Sequence, residues 1–137
     1  MASNKSKDVL IVDDDDAIRN LLCTALTHAG LTCDDASHGV DALQKLKTTD
    51  YSVLLLDLMM PQLDGSGVLT ELQTWQQPQD RKPVIVVVTA FPERERPALP
   101  GEMVQAVVRK PFDVTELTEL VAGCVAARRA HAEQRAS

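Results

Sequence analysis

The chain is predicted to fold as an α/β protein, a doubly wound sheet of five parallel strands with helices on both faces. Three observations carry this. Short β-branched or leucine-rich runs alternate along the sequence with segments of helical period, as repeated strand–helix units do. The runs are continuously apolar rather than alternating, which suits strands covered on both faces. And 137 residues with 45% apolar composition suffice for one ordinary core, so one domain is expected to hold them all.

The strand candidates are residues 9–12, 31–33, 53–56, 84–88 and 104–108. Between the first two, Ile18, Leu21, Leu22, Ala25, Leu26 and Ala29 recur at helical spacing, and Gly30 follows as a stop signal. Val40, Leu43 and Leu46 mark a second helix. Val68, Leu69, Leu72 and Trp75 mark a third, opened by the turn Asp64, Gly65, Ser66, Gly67, and residues 76–82 read as a polar loop. Leu117, Leu120, Val121, Cys124 and Val125 share one face of the last helix, with Asp113 as N-cap and Glu116 in the first turn. Arg128 and Arg129 at its end suit the negative pole of the helix. Residues 91–101 break the regularity with three prolines and a glycine; proline inside a helix costs about 3 kcal/mol, so the fourth helix is expected to be degenerate. The domain is expected over residues 7–127, with residues 1–6 a disordered N-terminus and 128–137 a basic tail.

The net charge of -6 disfavours non-specific adhesion to nucleic acid or anionic lipid, so neither direct nucleic-acid binding nor membrane attachment is expected. Three cysteines, Cys23, Cys33 and Cys124, form an odd set without metal-ligand spacing, which points to a reduced, cytoplasmic setting. Nor does any apolar run approach the ~18 residues of a membrane span or the h-region of a signal peptide.

What the strands lead into is polar. The first ends in Asp13, Asp14, Asp15 and Asp16, the third in Asp57, the fourth in Thr89, and the fifth apolar run in Arg109 and Lys110. Parallel strands of a doubly wound sheet bring their carboxyl ends to one edge, where ligands bind. Carboxylates gathered there repel one another unless a cation sits among them, and hard oxygen ligands with room for water suit Mg²⁺. A carboxylate beside Mg²⁺, with a lysine and a hydroxyl nearby, is arranged to attack phosphorus and to stabilise a transferred phosphoryl group, which makes Asp57 the nucleophile. Taken singly, each residue also has an ordinary reading. The aspartate run can be a solvated helix N-terminus, Asp57 a turn residue before Pro61, Thr89 a β-branched strand end and Lys110 an exposed lysine. Their joint spacing is what argues for a site.

Four motifs, Val-Leu-Ile-Val-Asp-Asp-Asp-Asp from Val9, Leu-Leu-Leu-Asp-Leu-Met-Met-Pro-Gln-Leu-Asp-Gly from Leu54, Val-Thr-Ala from Val88 and Arg-Lys-Pro-Phe from Arg109, resemble the receiver domains of two-component response regulators, chemotaxis-regulator-like single-domain receivers among them. The match covers roughly residues 7–127. The resemblance implies a flavodoxin-like (βα)5 fold with strand order 2-1-3-4-5. It implies Asp57 as phosphoacceptor, Asp13 and Asp14 as the acidic Mg²⁺ pair, and Met59 as a metal ligand through its backbone carbonyl. It further implies Thr89 as the switch hydroxyl and Lys110 as the phosphoryl-contacting cation before a cis Pro111. The phosphoryl donor is then a sensor histidine kinase or a histidine phosphotransfer protein.

The chain departs from that family's pattern in three places. Val107 stands where receivers usually carry a Tyr or Phe that changes rotamer on phosphorylation. The proline-broken segment replaces a helix of the usual output face. Met59 and Phe91 are apolar where receiver side chains border the path of the hydrolytic water, so neither can orient it, and a long-lived aspartyl phosphate is expected. Residues 130–137 are too short for a DNA-binding or catalytic output domain, so output is expected through an unidentified downstream protein, unless the sequence is a fragment of a longer one. Two other classes compete: a pseudo-receiver scaffold independent of phosphate, favoured by Val107 and the prolines, and a strand-end-aspartate phosphatase, disfavoured by Met59 where a second acid is needed. A dinucleotide site fails for want of a Gly-x-Gly-x-x-Gly after the first strand.

Overall fold

The computed structural model describes residues 5–58, 65–75, 82–91 and 104–136. Strands β1 (Lys5–Val12), β2 (Cys33–Ala36), β3 (Thr49–Asp57), β4 (Val84–Thr89) and β5 (Val104–Arg109) pair in parallel in the order β2-β1-β3-β4-β5. Among the described residues there are four helices, α1 (Asp16–His28), α2 (Gly39–Thr48), α3 (Gly65–Thr74) and α4 (Val114–Ala136). The sheet is the expected flavodoxin-like one. Residues 92–101, expected to hold the degenerate helix, and the loop over 76–81 lie outside the described residues, as do residues 1–4 and Asp64.

The unbroken apolar runs follow from a sheet sandwiched on both sides. Strand side chains alternate between faces. Leu10, Val12, Leu54, Leu56, Ile85 and Val87 meet Ala42, Leu46, Val68, Leu69 and Leu72 of α2 and α3. Their neighbours Val9, Ile11, Val53, Leu55, Val86 and Val88 meet Leu22, Leu26, Leu117, Val121 and Val125 of α1 and α4 on the other side. Each such Leu or Val, fully buried, stabilises by about 1.5–3 kcal/mol. Trp75 packs against the first of these clusters, with Lys47 Nζ 5.9 Å from its ring centroid.

β5 departs from the two-sided rule. At the sheet edge, it pairs with β4 through a register shift between Ile85 and Val86, so that Ile85 faces Val104 and Val86 faces Ala106. Gln105 is the extra residue, and a bulge resets side-chain parity. Val104 packs with the α2/α3 cluster, Ala106 and Val108 with the α1/α4 cluster, and Val107 is left 36% exposed.

The second strand begins later than its apolar residues suggest. Gly30 takes φ +88°, its amide donates to Thr27 O at 2.9 Å and the Leu31 amide to Leu26 O at 3.0 Å. This pair of bonds closes α1 with a Schellman turn, in which Leu31 is the buried hydrophobic anchor rather than a strand residue. Pairing with β1 starts at Cys33 and runs through the polar Asp34 and Asp35. β1 and β3 also start earlier than their apolar cores, because Lys5 pairs with Thr49 and Ser6 with Asp50. Lys5 and Ser6 thus belong to the sheet, not to a disordered N-terminus.

The C-terminal expectation is corrected in the same way. Residues 128–136 are helical, not a tail: α4 continues to Ala136, Arg128 donates to Lys82 O and Arg129 to the Asp8 carboxylate. Those two arginines lie within the helix rather than at its negative pole, and they fasten it to the amino-terminal edge of the sheet. At the other end of α4, Asp113 accepts from the Glu116 amide at 2.9 Å, the expected cap. Among the described residues no helix is long and apolar enough to cross a membrane. The three cysteines are free thiols; burial, first among the causes, pushes Cys33 up to about 12 and also raises Cys23 and Cys124, so none offers a thiolate at neutral pH.

Candidate functional site

Strand order in this sheet reverses between β1 and β3, and crevices form at such points beyond the strand carboxyl ends. Val12 pairs with Leu56, so Asp13, the residue after β1, stands level with Asp57, the last residue of β3. Single carboxylate oxygens of Asp13, Asp14 and Asp57 lie within 4.8 Å of one another. Asp13 is only 3% and Asp57 only 4% exposed, whereas Asp14 faces solvent.

Lys110 reaches this group from the far side of β4. Its amide donates to Thr89 O at 2.8 Å, it precedes Pro111 through a cis peptide bond, and its Nζ lies 2.9 Å from Asp13 Oδ2 and 3.3 Å from Asp57 Oδ2. Burial pulls the ammonium pKa down, but the hydrogen bond to Asp13 and the field of Asp57 outweigh it, and the net shift is upward. The lysine is therefore firmly cationic at neutral pH. Among the described residues one ammonium faces three carboxylates, two of them buried. All-oxygen donors, excess negative charge and one solvent-facing member fit a hard dication such as Mg²⁺ better than a soft one.

Thr89 sits at the same edge and is fully buried, but its hydroxyl accepts from the Phe91 amide at 3.0 Å rather than touching the carboxylates. Phe91 itself packs against the α2/α3 cluster. Met59 lies outside the described residues.

The aspartate run divides between its two readings. Asp13 and Asp14 join the carboxylate cluster. Asp15 is the N-cap of α1, accepting from the Ala17 amide at 2.9 Å and the Ile18 amide at 3.2 Å, and Asp16 begins the helix. The first half of the run thus falls in the carboxylate cluster and the second half at the helix N-terminus.

Sequence reasoning missed what holds Asp13 in place. Its amide donates to Ala36 O at 3.2 Å, its Oδ1 accepts from the Asp15 amide at 2.9 Å, and its carbonyl accepts from Arg19 Nη1 at 2.8 Å. The available signal for Arg19 was its i,i+3 spacing from Asp16 on the first turn of a helix.

The sequence matches the family model of the response regulator receiver domain over residues 9–122. The chain belongs to this family. Receiver domains are modules of two-component signalling. Curated relatives include the DNA-binding transcriptional regulator NtrC of Escherichia coli strain K12, 34% identical over 116 residues, and the transcriptional regulatory protein SrrA of Staphylococcus aureus, 33% identical over 112. Each alignment covers 82% of this chain but only 24% of NtrC and 45% of SrrA, so the chain spans less than half the length of either relative. Among solved structures, a CheY-like receiver from Methanospirillum hungatei superposes with TM-score 0.76 at 32% identity, covering 93% of this chain and 99% of that one. The response regulator TrrA of Thermotoga maritima, solved in complex with Mg²⁺ and BeF, superposes with TM-score 0.72 at 32% identity, covering 86% of this chain and 98% of that one.

Proposed function

We propose that this receiver is a phosphorylation-controlled switch: Asp57 accepts a phosphoryl group from the phosphohistidine of a sensor kinase or phosphotransfer protein, with Mg²⁺ held by Asp13, Asp14, Asp57 and the Met59 carbonyl. The observation that carries this reading is the buried Asp57 carboxylate with two further carboxylates within 4.8 Å and an ammonium at 3.3 Å. The metal, when bound, screens the carboxylates from one another and draws charge from the phosphoryl oxygens. A carboxylate oxygen of Asp57 attacks phosphorus, the N–P bond breaks, and the electron pair leaves with the imidazole. Lys110, already positioned by Asp13, neutralises phosphoryl charge. Thr89 exchanges its bond to the Phe91 amide for one to the phosphoryl group. The complex of TrrA with Mg²⁺ and BeF supports the same chemistry here.

The receiver is then a cytoplasmic signalling module that acts on its own aspartate rather than turning over an external metabolite, and it passes its signal on through protein–protein contact. Readout is atypical. Val107 is at the β5 surface with no ring to follow Thr89, so coupling runs through another element. Apolar Met59 and Phe91 give a comparatively long-lived phosphate. Mg²⁺-dependent labelling by phosphoramidate of the wild type but not of Asp57→Asn tests the proposal; no labelling of either favours the pseudo-receiver scaffold, for which the exposed Val107 speaks.

A further inference from the structure

Arg19 is buried out of proportion to its charge: its side chain is 13% exposed on the first turn of α1. All three of its donor nitrogens are used. Nε donates to Asp35 Oδ2 at 2.9 Å, Nη1 to the Asp13 carbonyl at 2.8 Å, and Nη2 to the Asp16 carboxylate. Asp35 is on β2, paired with Ile11 of β1, so the guanidinium ties the loop after β1 to the end of the neighbouring strand and to the helix that follows. Its charge is already offset by two carboxylates, so its influence on the carboxylate cluster is geometric rather than electrostatic.

The peptide unit that Arg19 grips is the one between Asp13 and Asp14. A peptide is planar, so fixing the Asp13 carbonyl fixes where the Asp14 backbone leaves it. Asp13 has other restraints on its carboxylate, from the Asp15 amide and from Lys110. Asp14 faces solvent, and among the described residues its carboxylate has no hydrogen bond of its own. Its place in the cluster therefore depends on the peptide behind it.

We propose that Arg19 is a positioning residue that sets the metal affinity of the acidic cluster by fixing the Asp13–Asp14 peptide, and so the Asp14 carboxylate; this rests on the proposed Mg²⁺-assisted phosphoryl transfer. Lysine keeps the charge but presents a compact ammonium in place of a planar fork, and cannot hold the three acceptors in one plane.

The test is Mn²⁺ binding, followed by electron paramagnetic resonance of the free ion, together with phosphoramidate labelling across a metal titration. Arg19→Lys is expected to weaken Mn²⁺ binding about tenfold, the usual scale for partners that orient metal ligands, while labelling at saturating metal stays close to wild type. Asp35→Asn, which keeps the guanidinium but loosens one arm, is expected to move affinity the same way by less, and stands in if Arg19→Lys does not fold. Unchanged Mn²⁺ affinity in folded Arg19→Lys, with wild type binding and labelling normally, overturns the positioning role alone. A labelling rate that falls at saturating metal while affinity holds overturns it as well. Wild type that neither binds Mn²⁺ nor labels on Asp57 overturns the functional reading beneath it.

Discussion

Asp57→Asn removes one charge from a cluster in which, among the described residues, three carboxylates face a single ammonium, and the metal-free protein is expected to become more stable as a result. At an effective dielectric of about 20, like charges at the 4.8 Å outer limit of this cluster repel by about 3.5 kcal/mol, and Asp57 has two neighbours within that limit. Against this, its attraction to Lys110 at 3.3 Å is about 5 kcal/mol on the same scale. Solvent screening of the exposed Asp14 trims the repulsion, and relief from burying an ionised group that is 4% exposed offsets the trimming. The balance is a gain of about 2 kcal/mol, which for a domain of this size raises Tm by about 7 °C. Thermal denaturation followed by circular dichroism at pH 7 in EDTA reads this directly. Added Mg²⁺ should then raise the wild-type Tm more than that of the variant, narrowing the gap, because the variant lacks one ligand. An unchanged or lower Tm of Asp57→Asn in EDTA, or an equal Mg²⁺ shift in both proteins, would refute the reasoning that unbalanced carboxylates shape this site.

Lys110→Met takes the ammonium away from two buried carboxylates and is expected to cost about 3–5 kcal/mol in EDTA and to abolish phosphoramidate labelling, read by denaturant melts and by mass spectrometry. Asp15→Ala removes the α1 cap and should lower stability by about 1 kcal/mol while leaving Mn²⁺ affinity unchanged, since only Asp13 and Asp14 of the run belong to the cluster. Met59→Asn with Phe91→Glu should speed loss of the phosphoryl group from labelled protein, and an unchanged decay rate would dismiss the long-lived phosphate. The pH dependence has two separate limbs. Lys110 is raised, so its stabilisation is present below the ordinary lysine range and is lost as pH climbs through its folded value, on the alkaline side. For Asp34, burial acts upward but hydrogen bonds from Lys7 and Tyr51 prevail and lower it, so its stabilisation is present above the ordinary carboxylate range and is lost as pH falls through the depressed value. Asp34→Asn should flatten the acid limb of a Tm-versus-pH profile and leave the alkaline limb in place.

Residue pattern alone was enough for the class of fold and for singling out Asp13, Asp14, Asp57 and Lys110, whereas Thr89 bonds to the Phe91 amide and Met59 lies outside the described residues. Runs such as residues 53–56 can be apolar at every position only if both faces of the strand are covered, and that requirement is local and legible. The aspartates and Lys110 stand out because polar residues abruptly end those runs, and parallel pairing then brings Asp13, Asp14, Asp57 and Lys110 within reach of one another. What the tertiary structure decided is everything that depends on a partner distant in the chain. β1 starts at Lys5 because Thr49 and Asp50 are there to pair with it, and residues 128–136 are helix, held in part by Asp8 and Lys82. A bulge at Gln105, invisible in the sequence, sets Val107 opposite Val87, where it is 36% exposed. In the sequence Arg19 is a single charge in the first turn of a helix; its meeting with the Asp13 carbonyl and Asp35 exists only once β1 and β2 lie side by side. Hydrophobic period is written residue by residue, whereas a hydrogen bond between distant segments is a property of their register, and register is set by the packed sheet as a whole.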